Sequence, residues 1–182
     1  METNLLLLSG GIDSIVCLEI LMDKYKVIGI GFDYNQPHKI ELEYAKAYAT
    51  QKNIDYSIKT LSTIEKIDDI VFSGRNAILL SNAFSLAYKN NIKFVTIGVN
   101  KDDSELFSDC RKSFIDAMRT VAEAYSVELL TPLIDKTKKE VIELSKIYDV
   151  DINSTWTCYF PTTSKERCGK CYSCVGLNNA KN

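Results

Sequence analysis

The chain has 182 residues, of which 46% are hydrophobic and 25% charged, and its 22 basic and 24 acidic residues leave a net charge of -2. This composition is typical of one globular domain with at most a small addition, and it excludes a disordered chain and argues against a nucleic-acid partner. No apolar run approaches the ~20 residues of a membrane span and no signal peptide fits before the first strand, so we expect a cytoplasmic protein without membrane contact.

Apolar runs alternate with segments of helical period through the first 150 residues. The runs predict strands at 5–8, 27–32, 55–61, 94–99 and 127–130, and the periodic segments predict helices at 14–24, 38–52, 75–90, 111–125 and 137–148. Pro37 suits the first turn of a helix, so the second helix is expected to begin near His38. The alternation predicts an α/β fold with a doubly wound, mostly parallel five-stranded sheet covered on both faces. Residues 62–73 are poorly patterned, and periodicity is lost from residue 151 onward.

The most informative segment is Ser9-Gly10-Gly11-Ile12-Asp13-Ser14, which directly follows the apolar run Leu5 to Leu8. A strand that turns into a helix through two glycines brings unpaired N–H groups to the positive end of the helix dipole, where anions bind. Ser9, Asp13 and Ser14 add hydroxyls and a carboxylate that suit a phosphate–metal unit or a helix cap. The Walker pattern is absent, because no lysine follows the glycines. The segment resembles the pyrophosphate-binding loop of ATP pyrophosphatases; the alternative is an ordinary strand–turn–helix corner.

Three polar segments are expected to share one edge of the sheet. Residues 9–14, 33–38 and 100–111 each follow a predicted strand. Ligands of such sheets bind beyond the carboxyl ends of the strands, near the point where the strand order reverses. We therefore expect a single binding site built from these segments.

Four of the six cysteines lie close together near the C-terminal end, in a C-x-x-C-x-x-C array with one more cysteine upstream: Cys158, Cys168, Cys171 and Cys174. Two-residue spacers let thiolates converge on one centre, and four sulfurs satisfy a tetrahedral Zn²⁺. An iron–sulfur cluster also takes four cysteines and stays open on spacing alone; zinc is preferred because nothing else suggests electron transfer. We expect the metal to fix residues 151–182 as a segment packed on a domain of residues 1–150. Of the other two, Cys17 is expected in the core, and Cys110 either packs or approaches a substrate.

The two ends of the chain together resemble the 7-cyano-7-deazaguanine synthase family of N-type ATP pyrophosphatases. The resemblance covers nearly the whole length and rests on short motifs in a fixed order: Ser9–Ser14, Phe32-Asp33-Tyr34-x-Gln36-x-His38, Gly74-Arg75-Asn76, Gly98-Val99-Asn100, Asp109-Cys110-Arg111, Pro132-Leu133 with Thr137-Lys138, and the cysteine array. Each motif is weak alone, and the ordered set is specific. The resemblance implies an adenine nucleotide α-hydrolase-like fold and a homodimer.

In that family, ATP adenylates the carboxylate of 7-carboxy-7-deazaguanine, ammonia converts it to an amide, and a second ATP activates the amide, which then loses AMP to leave the nitrile. A carboxylate becomes an electrophile only once its oxygen can leave, so positioning and charge neutralisation are the main tasks. No glutaminase domain is visible in the sequence, so free ammonia or a separate donor is implied. The implied cofactors are ATP, Mg²⁺ and Zn²⁺.

The resemblance assigns residues to each of these tasks. Catalytic contacts fall to Ser9, Asp13, Ser14 and Lys138, and the nucleotide is expected to contact Leu8, Ser9, Gly10, Gly11, Ile12, Asp13, Ser14, Phe32 and Gly98. Substrate contacts fall to side chains that pair with a carboxylate or with the edge of a base: Arg75, Asn76, Asn100, Asp109 and Arg111. Zinc is assigned to Cys158, Cys168, Cys171 and Cys174.

Simpler interpretations stand beside three of these features. Lys138 lies in the first turn of a predicted helix, where a lysine is commonly solvated, and Asp109 beside Arg111 makes a local ion pair possible. His38 is the single histidine, and we assign it no role as a base because ammonia itself can be the nucleophile.

The chain departs from the family pattern between Leu61 and Gly74, where it is shorter, and this leaves the exact acid substrate open. Three alternatives follow. The first is a related adenylating ligase that acts on a different acid, and the second is a non-catalytic, zinc-stabilised nucleotide-binding module. The third is an iron–sulfur relative that thiolates tRNA.

Overall fold

Five parallel strands form one sheet in the computed structural model, which describes residues 1–61 and 74–181. The strands are β1 (Thr3–Leu7), β2 (Lys26–Asp33), β3 (Asp55–Thr60), β4 (Phe94–Thr96) and β5 (Glu128–Leu130). Their order is β3-β2-β1-β4-β5, and all four pairings are parallel. This confirms the predicted doubly wound sheet and places the reversal of strand order at β1. The poorly patterned stretch 62–73, with the shortening before Gly74, lies outside the described residues.

Helices connect the strands and cover both faces of the sheet. They are α1 (Ile12–Met22), α2 (Glu41–Gln51), α3 (Arg75–Lys89), α4 (Asp103–Leu106), α5 (Lys112–Glu123), α6 (Lys138–Ile147) and α7 (Tyr172–Lys181), with 3₁₀ turns at Ser108–Cys110 and Ile152–Ser154. None of the helices described is long and apolar enough to cross a membrane.

The apolar side chains of β1 build both halves of the core, because successive residues of a strand point to opposite faces. Leu5 and Leu7 join the cluster that packs α3 and α5 on one face. Leu6 and Leu8 join the cluster that packs α1, α2, α6 and α7 on the other. Burial of each leucine contributes about 1.5–3 kcal/mol. The first strand of the chain is therefore the centre of the fold.

The structure corrects three of the predicted elements. Helix α2 begins at Glu41 rather than near His38, because residues 36–41 form successive turns in which Lys39 N donates to Gln36 O (3.1 Å) and Glu41 N to His38 O (2.9 Å). The polar loop after β4 contains the short helix α4 and a 3₁₀ turn. The C-terminal tail, expected to lack periodic structure, ends in helix α7.

Candidate functional site

The loop between β1 and α1 presents the start of a helix to the edge of the sheet. Gly11 caps α1 with extended backbone (φ -71°, ψ 156°) and without a side-chain cap. Ser14 Oγ donates to Gly11 O (2.9 Å) and accepts from Gly10 N (3.2 Å), which holds the loop closed around the first turn. The side chains of Leu8 and Ile12 are fully buried, so these two residues anchor the loop from below and offer a ligand only their backbone.

Gly10 lets the loop approach helix α2. Its φ is +92°, and a Cβ at this position would overlap the carbonyl oxygen of Glu41 and approach Ala45 N to 2.8 Å. Backbone atoms cannot move aside, so both the conformation and the space require glycine.

We expect Gly10→Ala to lower the free energy of unfolding by about 2 kcal/mol or more, because it combines backbone strain with a backbone clash. The matched control is Gly176→Ala in α7, where a Cβ would meet nothing within 4 Å. There the alanine should stabilise the helix by about 0.5–1 kcal/mol. Urea unfolding of both variants measures the two effects. Equal stability of the two variants would contradict the interpretation of the loop.

The Asp13 carboxylate is held between a lysine and an amide. Lys138 Nζ lies 2.7 Å from Asp13 Oδ2, and Asn100 Nδ2 donates to Asp13 Oδ1 at 3.0 Å. The side chains of Asp13 and Lys138 are only 17% and 13% exposed. Lys138 is therefore no solvated surface lysine, and its ammonium lies beside the loop.

Local structure at the start of α6 fixes the position of Lys138. Thr137 and Glu140 form a capping box: Thr137 Oγ1 accepts from Glu140 N (3.2 Å), and Glu140 Oε2 accepts from Thr137 N (2.8 Å). The backbone N–H of Lys138 donates to Asp102 Oδ2 (2.8 Å). These contacts place the ammonium against Asp13 from across the sheet edge.

Electrostatics keep the Lys138 ammonium charged. Burial alone would lower the pKa of Lys138, but Asp13 and Asp103 more than offset it and raise that pKa. Burial raises the pKa of Asp103 to about 6, against the attraction of Lys138 and with repulsion from Asp13 and Asp102. The set thus carries more negative than positive charge, which suits a cation bound among phosphates.

A cavity of about 150 Å³ opens at the carboxyl ends of β1, β2 and β4 and joins the loop to the other strand ends. Its walls include Ser9, Gly11, Asp13 and Ser14 from the loop, and Phe32 and Gly98 from the strand ends. A Cβ at Gly98 would approach Asp13 C and Ser14 N to 3.0 Å, so glycine lets this strand end lie directly against the loop. The three polar segments share one rim, as predicted.

A group of polar side chains lines one part of the cavity, and only Arg75 among them was given a role from the sequence: Tyr34, His38, Glu41, Arg75 and Tyr159. Arg75 Nη1 donates to the Tyr34 hydroxyl (3.0 Å). Burial, with the charge of Arg75, lowers the pKa of His38 to about 3, so this histidine is neutral and no general base. Burial raises the pKa of Glu41 to about 7, although Arg75 and a hydrogen bond from Gln36 oppose the shift. We name this region the polar end.

We expect Glu41→Gln to gain stability, relative to the unchanged chain, between about pH 5 and about pH 8. The pKa of Glu41 is raised on folding from 4.5 to about 7, so the folded chain binds the proton more tightly than the unfolded chain. The stability that this proton contributes is complete below pH 4.5 and is lost as the pH rises through about 7. The advantage of the variant should approach about 3 kcal/mol at high pH. Urea unfolding at both pH values tests this, with the exposed Glu43→Gln as a control that should show no such change.

The predicted substrate residues separate into two groups in the structure. Arg75 and Asn76 line the cavity. Asn76 N donates to Asp109 Oδ2 (2.9 Å) and Asn76 Nδ2 to Asp109 O (3.1 Å), so Asp109 is engaged in fixing the start of α3. Asn100 is fully buried against Asp13. Arg111 is exposed, donates to Ser104 O (3.3 Å) and does not line the cavity.

Cys17 and Cys110 are both buried, the first with no exposed surface and the second at 7%. Cys17 packs in the core as expected. Cys110 also packs in the core, accepts from Asn76 Nδ2 (3.6 Å) and reaches the cavity wall.

A larger groove, of about 760 Å³, runs along the β5 edge of the sheet. Its lining includes Tyr25, Arg119 and Val127, and it contains none of the loop or polar-end residues. Among the described residues, its lining includes none of those predicted to be catalytic or to bind nucleotide, substrate or metal, so the smaller cavity is the candidate site.

The ligand atoms of Cys158, Cys168, Cys171 and Cys174 lie within 4.8 Å of one another. A tetrahedron with Zn–S bonds of ~2.3 Å needs sulfur–sulfur separations of about 3.8 Å, so the four thiolates can close on one metal ion with little movement. Backbone N–H groups of Cys168 and Cys171 already point to Sγ of Cys158 (3.2 Å) and Cys168 (3.3 Å), as in four-sulfur sites. The cluster can hold a metal.

Trp156 connects this cysteine cluster to the loop. Its backbone N–H donates to Gly10 O (2.8 Å), and its indole Nε1–H donates to Cys158 O (2.8 Å). The ring lies between Tyr44, at 5.4 Å between centroids, and the Arg167 guanidinium at 5.8 Å. The metal-binding segment thus forms a wall of the cavity, and its Trp156 fixes the backbone of the loop.

Known sequences match the chain over nearly its full length. The profile described as "Queuosine biosynthesis protein QueC" matches residues 3–72 and 65–181. A protein of Leptospira interrogans named 7-cyano-7-deazaguanine synthase is 34% identical, over 93% of this chain and 82% of its own. One of the same name from Prochlorococcus marinus is 33% identical, over 98% of this chain and 93% of its own.

Solved structures share the fold at low sequence identity. The U34-tRNA thiolase NcsA of Methanococcus maripaludis, determined with its [4Fe-4S] cluster, aligns with a TM-score of 0.63 at 17% identity, over 99% of this chain and 70% of that chain. NMN synthetase of Francisella tularensis aligns with a TM-score of 0.60 at 19% identity, over 92% and 71%. These likenesses show the fold alone. Because the family profile and relatives above 30% identity cover almost every residue, the chain belongs to the QueC family of queuosine biosynthesis proteins.

Proposed function

We propose that the protein is an ATP-dependent carbon–nitrogen ligase that converts 7-carboxy-7-deazaguanine and ammonia into 7-cyano-7-deazaguanine. The acid attacks the α-phosphate of ATP to give an acyl adenylate and pyrophosphate, and ammonia displaces AMP to form the amide. The amide oxygen then attacks the α-phosphate of a second ATP and is adenylylated, with release of pyrophosphate. Loss of AMP and a proton from the adenylylated amide leaves the nitrile. The names of the relatives support this product.

One observation carries the proposal: an anion-binding loop and a polar end with a buried arginine open into the same cavity. The loop suits a triphosphate, because the amides at the start of α1 and the ammonium of Lys138 meet there. The polar end suits an acid with a hydrogen-bonding ring. A reaction that joins an acid to a nucleotide needs both, within reach of each other.

Each part of the loop takes a role in this proposal. Ser9, Ser14 and the amides from Gly10 to Asp13 hold the departing pyrophosphate, and Lys138 neutralises its charge. Phe32 and Gly98 border the adenine. Asp13 would hold Mg²⁺, which lowers the cost of bringing several negative charges together. Lys138 and Asn100 orient the Asp13 carboxylate for that purpose.

We propose zinc as the metal of the four-cysteine cluster, held by residues 151–182 against a pyrophosphatase domain of residues 1–150. The closed set of four thiolates supports a structural ion rather than a catalytic one. Metal analysis of colourless protein should give one zinc per chain; brown protein containing iron would contradict zinc. A cytoplasmic homodimer completes the proposal, and sedimentation equilibrium tests its stoichiometry.

The test is a mass-spectrometric assay of metal-replete protein with 7-carboxy-7-deazaguanine, ATP, Mg²⁺ and ¹⁵N-ammonium. The expected product is the nitrile carrying one ¹⁵N, with AMP formed only when the acid is present. Labelled amide without nitrile would reduce the proposal to the first half of the reaction. Absence of AMP from folded, metal-loaded protein would overturn the substrate and favour a ligase for another acid, or a non-catalytic nucleotide-binding module.

A further inference from the structure

Glu41 is a buried carboxylate that lacks a cation of its own. It is the first residue of α2, its side chain is 14% exposed, and it lines the polar end of the cavity. Its Oε1 accepts a long hydrogen bond from Gln36 Nε2 (3.4 Å) and lies 3.7 Å from the neutral His38. Within residues 1–61 and 74–181, its Oε2 has no hydrogen-bond partner. Buried carboxylates are normally paired, so this one has unused acceptor capacity.

Arg75 is a buried guanidinium that lines the same cavity. One of its nitrogens, Nη1, donates to Tyr34, whereas Nε is buried without a partner among the described residues. Each of Arg75 and Glu41 shifts the pKa of the other through its charge, yet no ion pair joins them in the part of the chain that the structure describes. Because these two opposite charges line one cavity without forming an ion pair, their hydrogen-bonding groups are available to a ligand bound between them.

The vacant donors and acceptors form a pattern. A carboxylate offers two acceptors side by side, and the neighbouring guanidinium offers a donor. A 2-amino-4-oxopyrimidine ring presents the complement along one edge: a carbonyl acceptor, a ring N–H and an amino group. An adenine ring cannot present two adjacent donors, so the same pattern rejects the base of ATP.

We propose that Glu41 is the specificity-determining residue of this site, whose carboxylate accepts from the ring N–H and the 2-amino group of a deazaguanine-type acid while the Arg75 guanidinium donates to the adjacent carbonyl. This inference rests on the proposed function and assigns the base edge to Glu41 instead of Asp109 and Asn100, which are engaged elsewhere.

The test compares two probes on three proteins by titration calorimetry, without ATP. The probes are 7-carboxy-7-deazaguanine and its analogue that lacks the 2-amino group; the proteins are the unchanged chain, Glu41→Gln and Glu43→Gln. The unchanged chain should prefer the amino compound by ~10- to 100-fold, because the analogue leaves a buried carboxylate oxygen unpaired. In Glu41→Gln the side-chain amide nitrogen, itself a donor, faces a donor of the ligand. The preference for the amino compound should therefore fall below about threefold, and the affinity for this compound should fall by about 30-fold or more.

Glu43 is the matched control, since it lies in the same first turn of α2 but is exposed and pairs with Lys165 on the surface. Glu43→Gln should keep the affinity and the preference of the unchanged chain. All three proteins should bind a non-hydrolysable ATP analogue equally, which shows that Glu41→Gln has a folded loop.

The outcomes separate this inference from the function on which it rests. If the unchanged chain binds and converts the acid while Glu41→Gln keeps its preference for the amino group, the role of Glu41 is overturned and the proposed function stands. If no protein binds the acid although all bind the nucleotide, the proposed substrate fails and the assignment of Glu41 fails with it.

Discussion

Asp13→Asn is expected to lower the rate of AMP formation by ~10²- to 10³-fold. The substitution keeps the shape of the side chain and removes the charge that Lys138 and Asn100 hold in place. Without this charge, the site loses its anchor for a divalent cation, and the ammonium of Lys138 loses its buried partner. The rate is measured as AMP released per chain in the complete reaction mixture.

Loss of a buried charge partner also destabilises the fold, and the two effects must be separated. The double variant Asp13→Asn/Lys138→Met removes both charges, so it should regain much of the unfolding free energy lost in the single variant while AMP formation stays low. Asp23→Asn is the matched control, because Asp23 is exposed at the far end of α1, and it should keep full activity. AMP formation by Asp13→Asn within tenfold of the unchanged chain would sink the role given to this carboxylate.

Removal of the metal from the four-cysteine cluster is expected to have the second large effect, on nucleotide affinity. Structural zinc contributes on the order of 10 kcal/mol in small peptides, so the segment around α7 should lose its structure when a chelator takes the ion. Because Trp156 donates to Gly10 O, the loop then loses one of the hydrogen bonds that shape it. We expect affinity for a non-hydrolysable ATP analogue to fall at least tenfold, which is about the value of one such bond in a buried loop.

The single tryptophan of the chain reports this change directly. Trp156 is 3% exposed, so its fluorescence should shift to longer wavelength on chelation and return when zinc is added back under reducing conditions. Cys171→Ser should show the same shift and contain little metal, whereas Cys17→Ala, far from the cluster in the core of α1, should keep its metal. An unshifted spectrum and unchanged nucleotide affinity in fully metal-free protein would show that the two regions are independent.

The sheet was predictable because buried parallel strands are continuous apolar runs, and the five predicted strands match within a few residues. The predicted helix boundaries were wrong where turns and side-chain interactions override the hydrophobic periodicity. Residues 36–41 use turn hydrogen bonds that a helical period does not reveal. Helix α7 was missed because Cys174 within it and Cys171 directly before it were interpreted as metal ligands rather than as part of an apolar stripe. Both side chains are buried.

The sequence predicted the parts of the candidate site that lie in short motifs. It did not predict the side chains that join the site only because the fold buries them there. The loop and the metal cluster were visible as local spacings. The contact of Lys138 with Asp13 joins residues that are 125 positions apart and was not predicted; the family pattern pointed only to Lys138 as a site residue. Glu41 escaped notice because an acidic residue in the first turn of a helix is sufficiently explained by the helix dipole. Its one sequence signal is a charge between the apolar neighbours Ile40 and Leu42, next to the rim.

The hydrogen bond from Trp156 to Gly10 also has a consequence for synthesis on the ribosome. β1 precedes β4 in the chain, but it lies at the centre of the sheet and can pair with β4 only after β4 has been synthesised. The loop after β1 receives a hydrogen bond from the backbone N–H of Trp156. A nascent chain that stops before Trp156 therefore contains the loop sequence but lacks one of the hydrogen bonds that shape it. Such chains should bind nucleotide more weakly than chains that include Trp156.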